Sequence, residues 1–292
     1  MGESIGVELL ICGHTRQWGR FARVGRGMVN FPATVALLRH RDQIVLFDTG
    51  YSARSRELLG RWPEAAYQRL LPIHLQPGEA IGAQLRHREI DPSSVETVII
   101  SHFHADHIGG LGELPDARII HGTDQTPVPG FRPGRRATLA QTCHSHFPQL
   151  LPVDLDSRAI ACTDLERVPA SELGVLGELF GGGWDVFGDR SAIIIPLPGH
   201  DDGHIGLWLP IPTGAEGRPT APMLLVGDAS WAPIPGGRPP VPPVSHLMRE
   251  RSRYLDTWHK LDEFARRRPS ATIIPSHAGE SVMRASKALR WS

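Results

Sequence analysis

The chain has 292 residues, of which 40% are hydrophobic, so it is long enough to bury a sizeable core in one large domain or two small ones. Lysine and arginine together number 31, as do aspartate and glutamate, so no net positive charge attracts nucleic acid or an anionic membrane. We therefore expect a small-molecule partner.

The N-terminal stretch MGESIGVELLICGHTRQWGR lacks the basic start, the long apolar segment and the small-residue cleavage site of a secretion signal. No apolar run in the sequence approaches the length that spans a bilayer. The three cysteines, Cys12, Cys143 and Cys162, form no CxxC pair, which disfavours a disulfide framework or a thiolate zinc site. We therefore predict a soluble, cytoplasmic protein with free thiols and no membrane partner.

Apolar, β-branched runs bounded by turn residues predict strands, several of them buried on both faces. These runs are ATVALLRH (33–40), QIVLFDTG (43–50), VETVII (95–100), ARIIHG (117–122), SAIIIPLPG (191–199), HIGLWLP (204–210), PMLLVGDAS (222–230) and ATIIPSHAG (271–279). Several of them lead directly into a histidine or an aspartate: Asp48, His102, His200, Asp228 and His277. Because rigid scaffolds present chemical groups in the loops at strand ends, these five residues are candidate site residues.

Two stretches between the strands have apolar residues at helical spacing. EAIGAQLRHREI (79–90) ends before the turn-like DPSS. SHLMRERSRYLDTWHKLDEFARRRPS (245–270) has Ser245 as its expected N-cap and Pro269 as its stop. We expect the apolar stripe of this second helix, which includes Trp258 and Leu261, to pack into the core.

The segment from about 123 to 190 is rich in proline and glycine, and a short helix is expected near 135–145. It is too long for an ordinary connection in a compact domain, so we expect a functional, lid-like insertion. Another proline-rich loop, APIPGGRPPVPPVS (232–245), follows Asp228. No linker separates two halves of the chain, so we predict that residues 1–292 form a single domain.

The stretch SHFHADHIGG (101–110) places three histidines and an aspartate within six positions, directly after an apolar run. His102 and His104 alternate, so both can point the same way from an extended loop, whereas Asp106 and His107 begin the next turn. Imidazole and carboxylate groups bind zinc and other first-row divalent ions. One short loop can therefore serve two metal ions, and each ion needs further ligands, which the later strand ends can provide.

The ordered combination of these residues resembles the metallo-β-lactamase superfamily, whose hallmark is HxHxDH followed by separate histidine, aspartate and histidine ligands. The resemblance covers most of the chain and implies an α/β fold of the four-layer αββα sandwich type with two divalent ions. One ion would be held by His102, His104 and His200, the other by Asp106, His107 and His277, with Asp228 bridging them. The LFDTG stretch also matches the family's early motif, which implies that Asp48 orients a ligand imidazole through a hydrogen bond.

The other histidines are interpreted from their positions. His204 follows His200 by four residues, and we expect it to hydrogen-bond beside the ligands rather than to bind a metal. His144 and His146, in CHSHFPQ, form an HxH pair without further ligands, so we expect ordinary polar loop residues.

Two divalent ions about 3.5 to 4 Å apart can hold a bridging water, lower its pKa and stabilise the oxyanion formed when it attacks. We therefore predict a dinuclear metal-dependent hydrolase with metal-bound hydroxide as its nucleophile. Asp106 is expected to be catalytic as well as a ligand, because it can carry a proton to the leaving group. The ions are expected to be zinc, although manganese, iron and cobalt accept the same ligands.

The order of motifs, with a long middle insertion and GDAS before an aromatic residue, looks most like the N-acyl-homoserine lactonases of this superfamily. The resemblance implies that the substrate is a small ester and favours a lactone. Those lactonases carry a tyrosine three residues after the bridging aspartate, whereas this chain has Trp231. An indole N–H can donate but cannot accept a hydrogen bond, and two roles stay open for Trp231, a substrate contact and a packing role.

The stretch WGRFARVGRGMVNFPA (18–33) contains Phe21, Met28 and Phe31 among glycines and arginines. These side chains can line a pocket for the acyl part of a substrate, or the loop can pack on the core. Both interpretations stay open.

Three other activities also stay open. A phosphodiesterase or nuclease of the same superfamily uses a similar metal pair, a thioester hydrolase shares the metal set, and a non-catalytic regulator would keep the ligands without turnover. The balanced charge disfavours nucleic acid as a partner. The sequence leaves the acyl-chain length and the assembly, a homodimer included, undecided.

Overall fold

The computed structural model describes residues 4–22, 24–62, 64–122, 132–214, 217–236, 239 and 250–289. The strands are β1 (Ile5–Trp18), β2 (Met28–His40), β3 (Gln43–Phe47), β4 (Ile73–His74), β5 (Val95–Ile100), β6 (Arg118–His121), β7 (Ala159–Ala161), β8 (Glu166–Val168), β9 (Gly183–Asp185), β10 (Ile193–Pro196), β11 (Ile205–Leu209), β12 (Pro212–Thr213), β13 (Met223–Gly227) and β14 (Thr272–Pro275). The α-helices are α1 (Gly19–Ala22), α2 (Ala53–Leu59), α3 (Ala65–Leu70), α4 (Ile81–His87), α5 (Ala105–Ile108), α6 (Leu139–Cys143), α7 (Leu155–Arg158), α8 (Val175–Phe180), α9 (Arg251–Arg267) and α10 (Gly279–Leu289).

These strands form two mixed sheets. The first has the order β12-β1-β2-β3-β5-β6-β7, with β4 paired to β1, and the second has the order β14-β13-β11-β10-β9-β8. β3, β5 and β6 run parallel to one another, as do β13 and β14, so their carboxyl ends meet at common sheet edges. The strand ends that carry the candidate ligands lie at these edges.

The core is built from side chains that alternate between the two faces of each strand. In β3, Val45 and Phe47 join the cluster between the two sheets, whereas Leu46 joins the cluster under the helices outside the first sheet. Outside the second sheet, Trp258 and Leu261 of α9 join another buried cluster. Helix, sheet, sheet and helix are therefore stacked in four layers, which confirms the predicted αββα sandwich.

The two predicted helices are confirmed in shorter form, as α4 and α9. After α4 the chain makes a turn in which the backbone N–H of Ser94 donates to the carbonyl oxygen of Asp91. Helix α9 begins after Glu250, whose backbone is extended with a φ of −136°. The expected N-cap, Ser245, lies outside the described residues.

The N-terminal stretch contains a long strand, β1, which is absent from the predicted strands. β1 pairs with β2 in antiparallel register, with a shift between Ile11 and His14. Its polar residues are accommodated because one face of β1 is only partly buried. Among the helices of the described residues, none combines the length and the apolarity that a membrane crossing requires.

The segment expected to be lid-like, 123–190, contributes to both sheets in its described part. It contains α6, which matches the expected short helix, and it supplies β7 to the first sheet and β8 and β9 to the second. Phe147 and Leu150 are fully or almost fully buried in the core outside the first sheet. Residues 123–131 lie outside the described residues, and movement of this segment as a lid stays a prediction.

Candidate metal centre

The loop after β5 changes conformation within a few residues, and this change divides its side chains into two sets. His104 has extended backbone angles, φ −75° and ψ 158°, and serves as the N-cap of α5. His102 and His104 thus precede the helix, while Asp106 and His107 lie within it. All four side chains are buried.

The first group of potential ligands joins His102 and His104 to His200 and Asp228. One ligand atom from each of these four residues lies within 4.8 Å of the others. His104 Nδ1 is 3.2 Å from His200 Nε2, which is 3.4 Å from Asp228 Oδ2. Gly199 makes room for this arrangement, since a Cβ on it would lie 2.1 Å from the backbone nitrogen of Tyr254.

The second group joins Asp106 and His107 to Asp228 and His277, again with ligand atoms within 4.8 Å. His277 Nε2 lies 3.2 Å from Asp106 Oδ2 and 3.1 Å from Asp228 Oδ2. His107 Nε2 is 3.4 Å from Asp228 Oδ1. Asp228 is common to both groups, so the structure brings together all seven residues that the sequence motif singled out.

These residues fit a pair of divalent ions. His102 Nε2, His107 Nε2 and Asp228 Oδ1 are buried and have no hydrogen-bond partner in the described part of the chain. Buried polar atoms without partners are costly, and a cation would satisfy all three. Imidazole and carboxylate ligands suit zinc and other first-row ions, so the donor set agrees with the geometry.

Burial keeps the histidines of the first group uncharged. It lowers the pKa of His102 and His200 well below the usual value, and it lowers the pKa of His104 to about 4. A neutral imidazole is the form that binds a metal. These side chains therefore hold the protonation state that ligation requires at neutral pH.

In the second group, the negative charge of the carboxylates outweighs the effect of burial on the pKa of His277. Burial opposes charge on His277, but the carboxylates of Asp228 and Asp106 raise its pKa to about 10. Burial raises the pKa of Asp106, yet His107 and His277 lower it to about 2. Burial likewise raises the pKa of Asp228, but His277 and His107 lower it well below the usual value. Both carboxylates are therefore ionised at neutral pH, and their negative charge favours cation binding.

Asp48 orients one of the imidazoles. It follows β3 with a positive φ of 63°, which is unfavourable for a residue other than glycine. Its Oδ1 accepts from the backbone N–H of Ser101 at 2.8 Å, and its Oδ2 accepts from Nδ1 of His107 at 2.8 Å. This contact turns His107 Nε2 toward Asp228, as expected for a residue that orients a ligand.

His204 also lies beside the ligands, as its position four residues after His200 predicts. Its Nε2 accepts a hydrogen bond from the backbone N–H of Asp228 at 3.1 Å, and its ring centroid lies 4.9 Å from that of His102. It therefore holds the loop that presents Asp228. His277 is held by a hydrogen bond from its Nδ1 to the carbonyl oxygen of Pro32 at 2.8 Å.

Three of the expected substrate-contacting residues can be placed. Trp231 packs on His277, with ring centroids 5.3 Å apart, and its indole N–H donates to Asp228 Oδ2 at 3.0 Å. Phe31 is buried and lines the cleft above the centre, whereas Met28 is 44% exposed at the start of β2. The side chain of Phe21 lies outside the described part of the structure.

One polar pair beside the centre was missed. His146 is buried, not an ordinary polar loop residue, and its Nε2 lies 3.0 Å from each carboxylate oxygen of Asp201. Ligand atoms of His104, His146 and Asp201 lie within 4.8 Å of one another. The apolar run after His146 was a signal of burial, but nothing local to the sequence pointed to a partner 55 residues away.

A narrow cleft opens onto the two groups of ligands. Asp106, Asp228 and His277 lie along it, and the aromatic side chains of Tyr51 and Tyr67 form part of its wall. The described lining contains no lysine or arginine. The centre is therefore approached through a largely apolar and aromatic passage.

Comparisons with known proteins agree with this geometry. The chain is 29% identical over 103 residues to the N-acyl homoserine lactonase AiiB of Agrobacterium fabrum, which covers 35% of this chain and 37% of that protein. It is 25% identical over 218 residues to the gamma-lactamase FDB1 of Fusarium pseudograminearum, which covers 70% of this chain and 48% of that protein. The chain thus spans less than half the length of each of these relatives.

The fold is similar to that of a solved lactone hydrolase structure. The structure of an N-acyl homoserine lactone hydrolase with the product N-hexanoyl-L-homoserine at its metal center matches with a TM-score of 0.63 and 17% identity, over 99% of this chain and 98% of that one. The family model of the metallo-beta-lactamase superfamily matches residues 29–277, which include all seven potential ligands. The chain therefore belongs to the metallo-beta-lactamase superfamily.

Proposed function

We propose that the protein is a dinuclear metal-dependent hydrolase that opens a small ester, and that its substrate is a lactone. The observation that carries this proposal is the position of Asp228, whose two carboxylate oxygens face both groups of ligands. A carboxylate shared in this way is suited to bridging two cations. A pair of divalent ions at this centre would lower the pKa of a water molecule and stabilise negative charge on the substrate oxygen.

The side chains of the chain itself then have separate roles. Asp48 holds the His107 ring, and His204 holds the backbone that presents Asp228. Asp106 lines the cleft and is ionised at neutral pH, because His107 and His277 lower its pKa to about 2. Its carboxylate can accept a proton from the attacking water and pass it to the oxygen of the leaving group.

The lining of the cleft favours a carbonyl ester over a phosphodiester. Phe31, Tyr51 and Trp231 offer apolar surface, and the described lining includes no lysine or arginine to bind a phosphate. A small, uncharged ring such as a lactone suits this passage. The similarity to a lactonase supports the same substrate class, and the similarity to a gamma-lactamase makes a cyclic amide the comparison to include in a substrate panel.

Zinc is the metal that we propose. Imidazole and carboxylate ligands bind it well, and it needs no redox chemistry for hydrolysis. Metal analysis of the purified full chain tests this point directly, because manganese, iron or cobalt at two equivalents would replace zinc in the proposal.

A pH-stat assay over a series of lactones tests the activity, since opening a lactone releases acid. We expect acid release from the wild type, and a loss of at least about 100-fold in His102→Ala. His259→Ala is the matched control, because His259 is exposed on α9, and we expect it to keep full activity. If the protein binds two equivalents of metal, releases no acid from any lactone and hydrolyses a phosphodiester, the assignment moves to a phosphodiesterase.

A further inference from the structure

The ligands of the first group come from different sheets. His104 follows β5 of the first sheet, whereas His200 lies between β10 and β11 of the second sheet. Their ring nitrogens, His104 Nδ1 and His200 Nε2, are nevertheless only 3.2 Å apart. One backbone hydrogen bond, from the N–H of Ile205 to the carbonyl oxygen of Ser101, joins the two sheets next to His102. Strand pairing within one sheet cannot fix the distance between His104 and His200, so other contacts have to hold these two loops.

A buried hydrogen bond ties the His200 loop to the loop after α6. His146 Nε2 lies 3.0 Å from each carboxylate oxygen of Asp201. The two residues are only 7% and 5% exposed, so the contact is shielded from water. Hydrogen bonds to carboxylates are among the stronger ones in proteins. Because Asp201 directly follows His200, this contact holds the backbone next to the ligand.

The same histidine holds the other loop through its backbone. His146 pairs with His104 in an isolated antiparallel bridge, and their ring centroids lie 5.4 Å apart. The backbone of His104 is extended, with φ −75° and ψ 158°, and helix α5 begins one residue later, at Ala105. The bridge therefore helps to keep His104 out of the helix. In this conformation its Nδ1 lies beside His200.

His146 is itself well anchored. Its backbone N–H donates to the carbonyl oxygen of Gln141 at 2.9 Å, and the next residue, Phe147, has no exposed surface. The preceding residue, Ser145, has a positive φ of 60°, an unfavourable conformation that the surrounding contacts maintain. All of these residues belong to the insertion at 123–190. The insertion therefore reaches the first group of ligands through His146.

The contacts of His146 and Asp201 are complete without a further cation. Ligand atoms of His104, His146 and Asp201 lie within 4.8 Å of one another. However, His146 Nε2 already meets both oxygens of Asp201. The Nδ1 of His104 faces His200 instead. Among the described residues, Asp228 Oδ1 is a buried polar atom without a partner, whereas the side-chain atoms of His146 and Asp201 are not. The pair is thus suited to holding its neighbours.

We propose that the His146–Asp201 pair positions the ligands of the first group. The inference rests on the metal pair of the proposed function, and it goes beyond that function by assigning a role to two residues that bind neither metal nor substrate. Without the pair, the two ligand loops lose a link, so a cation at the first group is bound more weakly. The second group, which Asp48 supports through His107, keeps its affinity.

The test is a metal titration of full-length Asp201→Ala and His146→Ala in competition with a chelator. We expect one of the two binding steps to weaken by about 10-fold in each variant, as is typical when a contact behind a metal ligand is lost. The double variant should be no weaker than either single variant, because both substitutions remove the same contact. This measurement needs no assay of activity.

Anomalous diffraction from Asp201→Ala crystals grown at limiting metal shows which group is affected. We expect a reduced peak among His102, His104 and His200 and an unchanged peak among the ligands of the second group. A general loosening of the fold would reduce both peaks alike. The inequality between the two peaks therefore separates a positioning role from a merely structural one.

Conservative and neighbouring substitutions provide the controls. His146→Gln keeps an N–H donor at a similar reach, so we expect it to recover most of the lost affinity. Asp202→Asn changes the exposed carboxylate next to Asp201, and His144→Gln changes a partly exposed histidine of the same loop. Both control variants should show the two binding steps of the wild type.

The outcomes that contradict the inference are distinct from those that overturn the hydrolase function. Two unchanged binding steps in both alanine variants, or equal weakening of both steps, contradict it. A third metal equivalent in the wild type that disappears in Asp201→Ala also contradicts it, because the pair is then part of a metal site.

If neither alanine variant folds, Asp201→Asn replaces them, since it exchanges one of the two accepting oxygens for an amide. Unchanged steps in that variant contradict the proposal. A wild type that binds two metal ions but hydrolyses no ester overturns the proposed activity alone. Unequal weakening of the two steps in Asp201→Ala then still supports the positioning role.

Discussion

The indole Nε1 of Trp231 donates a hydrogen bond to Oδ2 of Asp228 at 3.0 Å, and the same oxygen faces Nε2 of both His200 and His277. Asp228 belongs to both groups of potential ligands, so the orientation of its carboxylate determines whether it can serve both. We expect this hydrogen bond from Trp231 to fix that orientation, which is a role that the sequence alone did not distinguish from packing or substrate contact.

Trp231→Phe keeps the ring and removes the donor, so it tests this relationship. We expect metal binding to weaken by about 10-fold to 100-fold, as is typical when a hydrogen bond to a ligand is removed. Competition with a chelator measures the change without any activity assay. Trp62→Phe is the control, because Trp62 is 74% exposed, and equal metal affinity in the two variants would contradict the role of Trp231.

Asp48→Asn should weaken the second group of ligands in a similar way. The substitution removes the charge that holds His107 Nδ1 at 2.8 Å, so the His107 ring loses its fixed orientation. We expect one of two metal equivalents to be bound about 10-fold to 100-fold more weakly, which metal titration would resolve into two steps. Asp42→Asn, in the exposed turn after β2, is the matched control. If both steps of the metal titration are unchanged in Asp48→Asn, Asp48 does not contribute to metal binding.

The three cysteines should differ in reactivity toward a thiol reagent. Cys143 is exposed, whereas Cys12 and Cys162 are buried. Burial raises the pKa of Cys162 to about 12 and raises that of Cys12 further, so neither forms the reactive thiolate at neutral pH. We expect one fast thiol in the native protein and three after denaturation. Fast labelling of a native Cys143→Ser variant would contradict this order.

Arg136 ties the segment expected to be lid-like to α3. It pairs with the fully buried carboxylate of Glu64 at 2.6 Å, and Glu64 also accepts from Gln149 at 3.2 Å. Arg136→Ala should raise the opening of this segment by at least about tenfold, because it removes a charge-assisted hydrogen bond worth about 1.5 kcal/mol or more. Hydrogen exchange at the α6 amides measures the opening. Arg135→Ala is the control, and equal exchange in both variants would show that the Arg136 contact does not restrain the segment.

Much of the site could be predicted because four of its seven potential ligands lie close together in the sequence. The HFHADH stretch combines extended and helical spacing within six residues, and the other ligands follow predicted strands. Parallel strands bring their carboxyl ends to one edge, so residues that are far apart in the sequence meet there. The four layers follow from the same alternation of apolar residues along the strands.

The parts that could not be predicted depend on long-range contacts. The second half of β1 contains several polar residues, so its sequence does not indicate a strand, and its pairing with β2 and its partly buried face become evident only in the fold. His146 hydrogen-bonds to Asp201, which lies 55 residues later, and Tyr67 packs on Phe147, which is also distant in the sequence. Neither contact leaves a pattern that the sequence shows. The role expected for Trp231 likewise depends on where its indole N–H points, which the sequence does not show.

Anomalous diffraction from crystals of the metal-loaded protein tests the central claim most directly. We predict two peaks, one among His102, His104 and His200 and the other among Asp106, His107 and His277, with Asp228 within bonding distance of both. A folded and catalytically active crystal with no metal peak at these residues would contradict it.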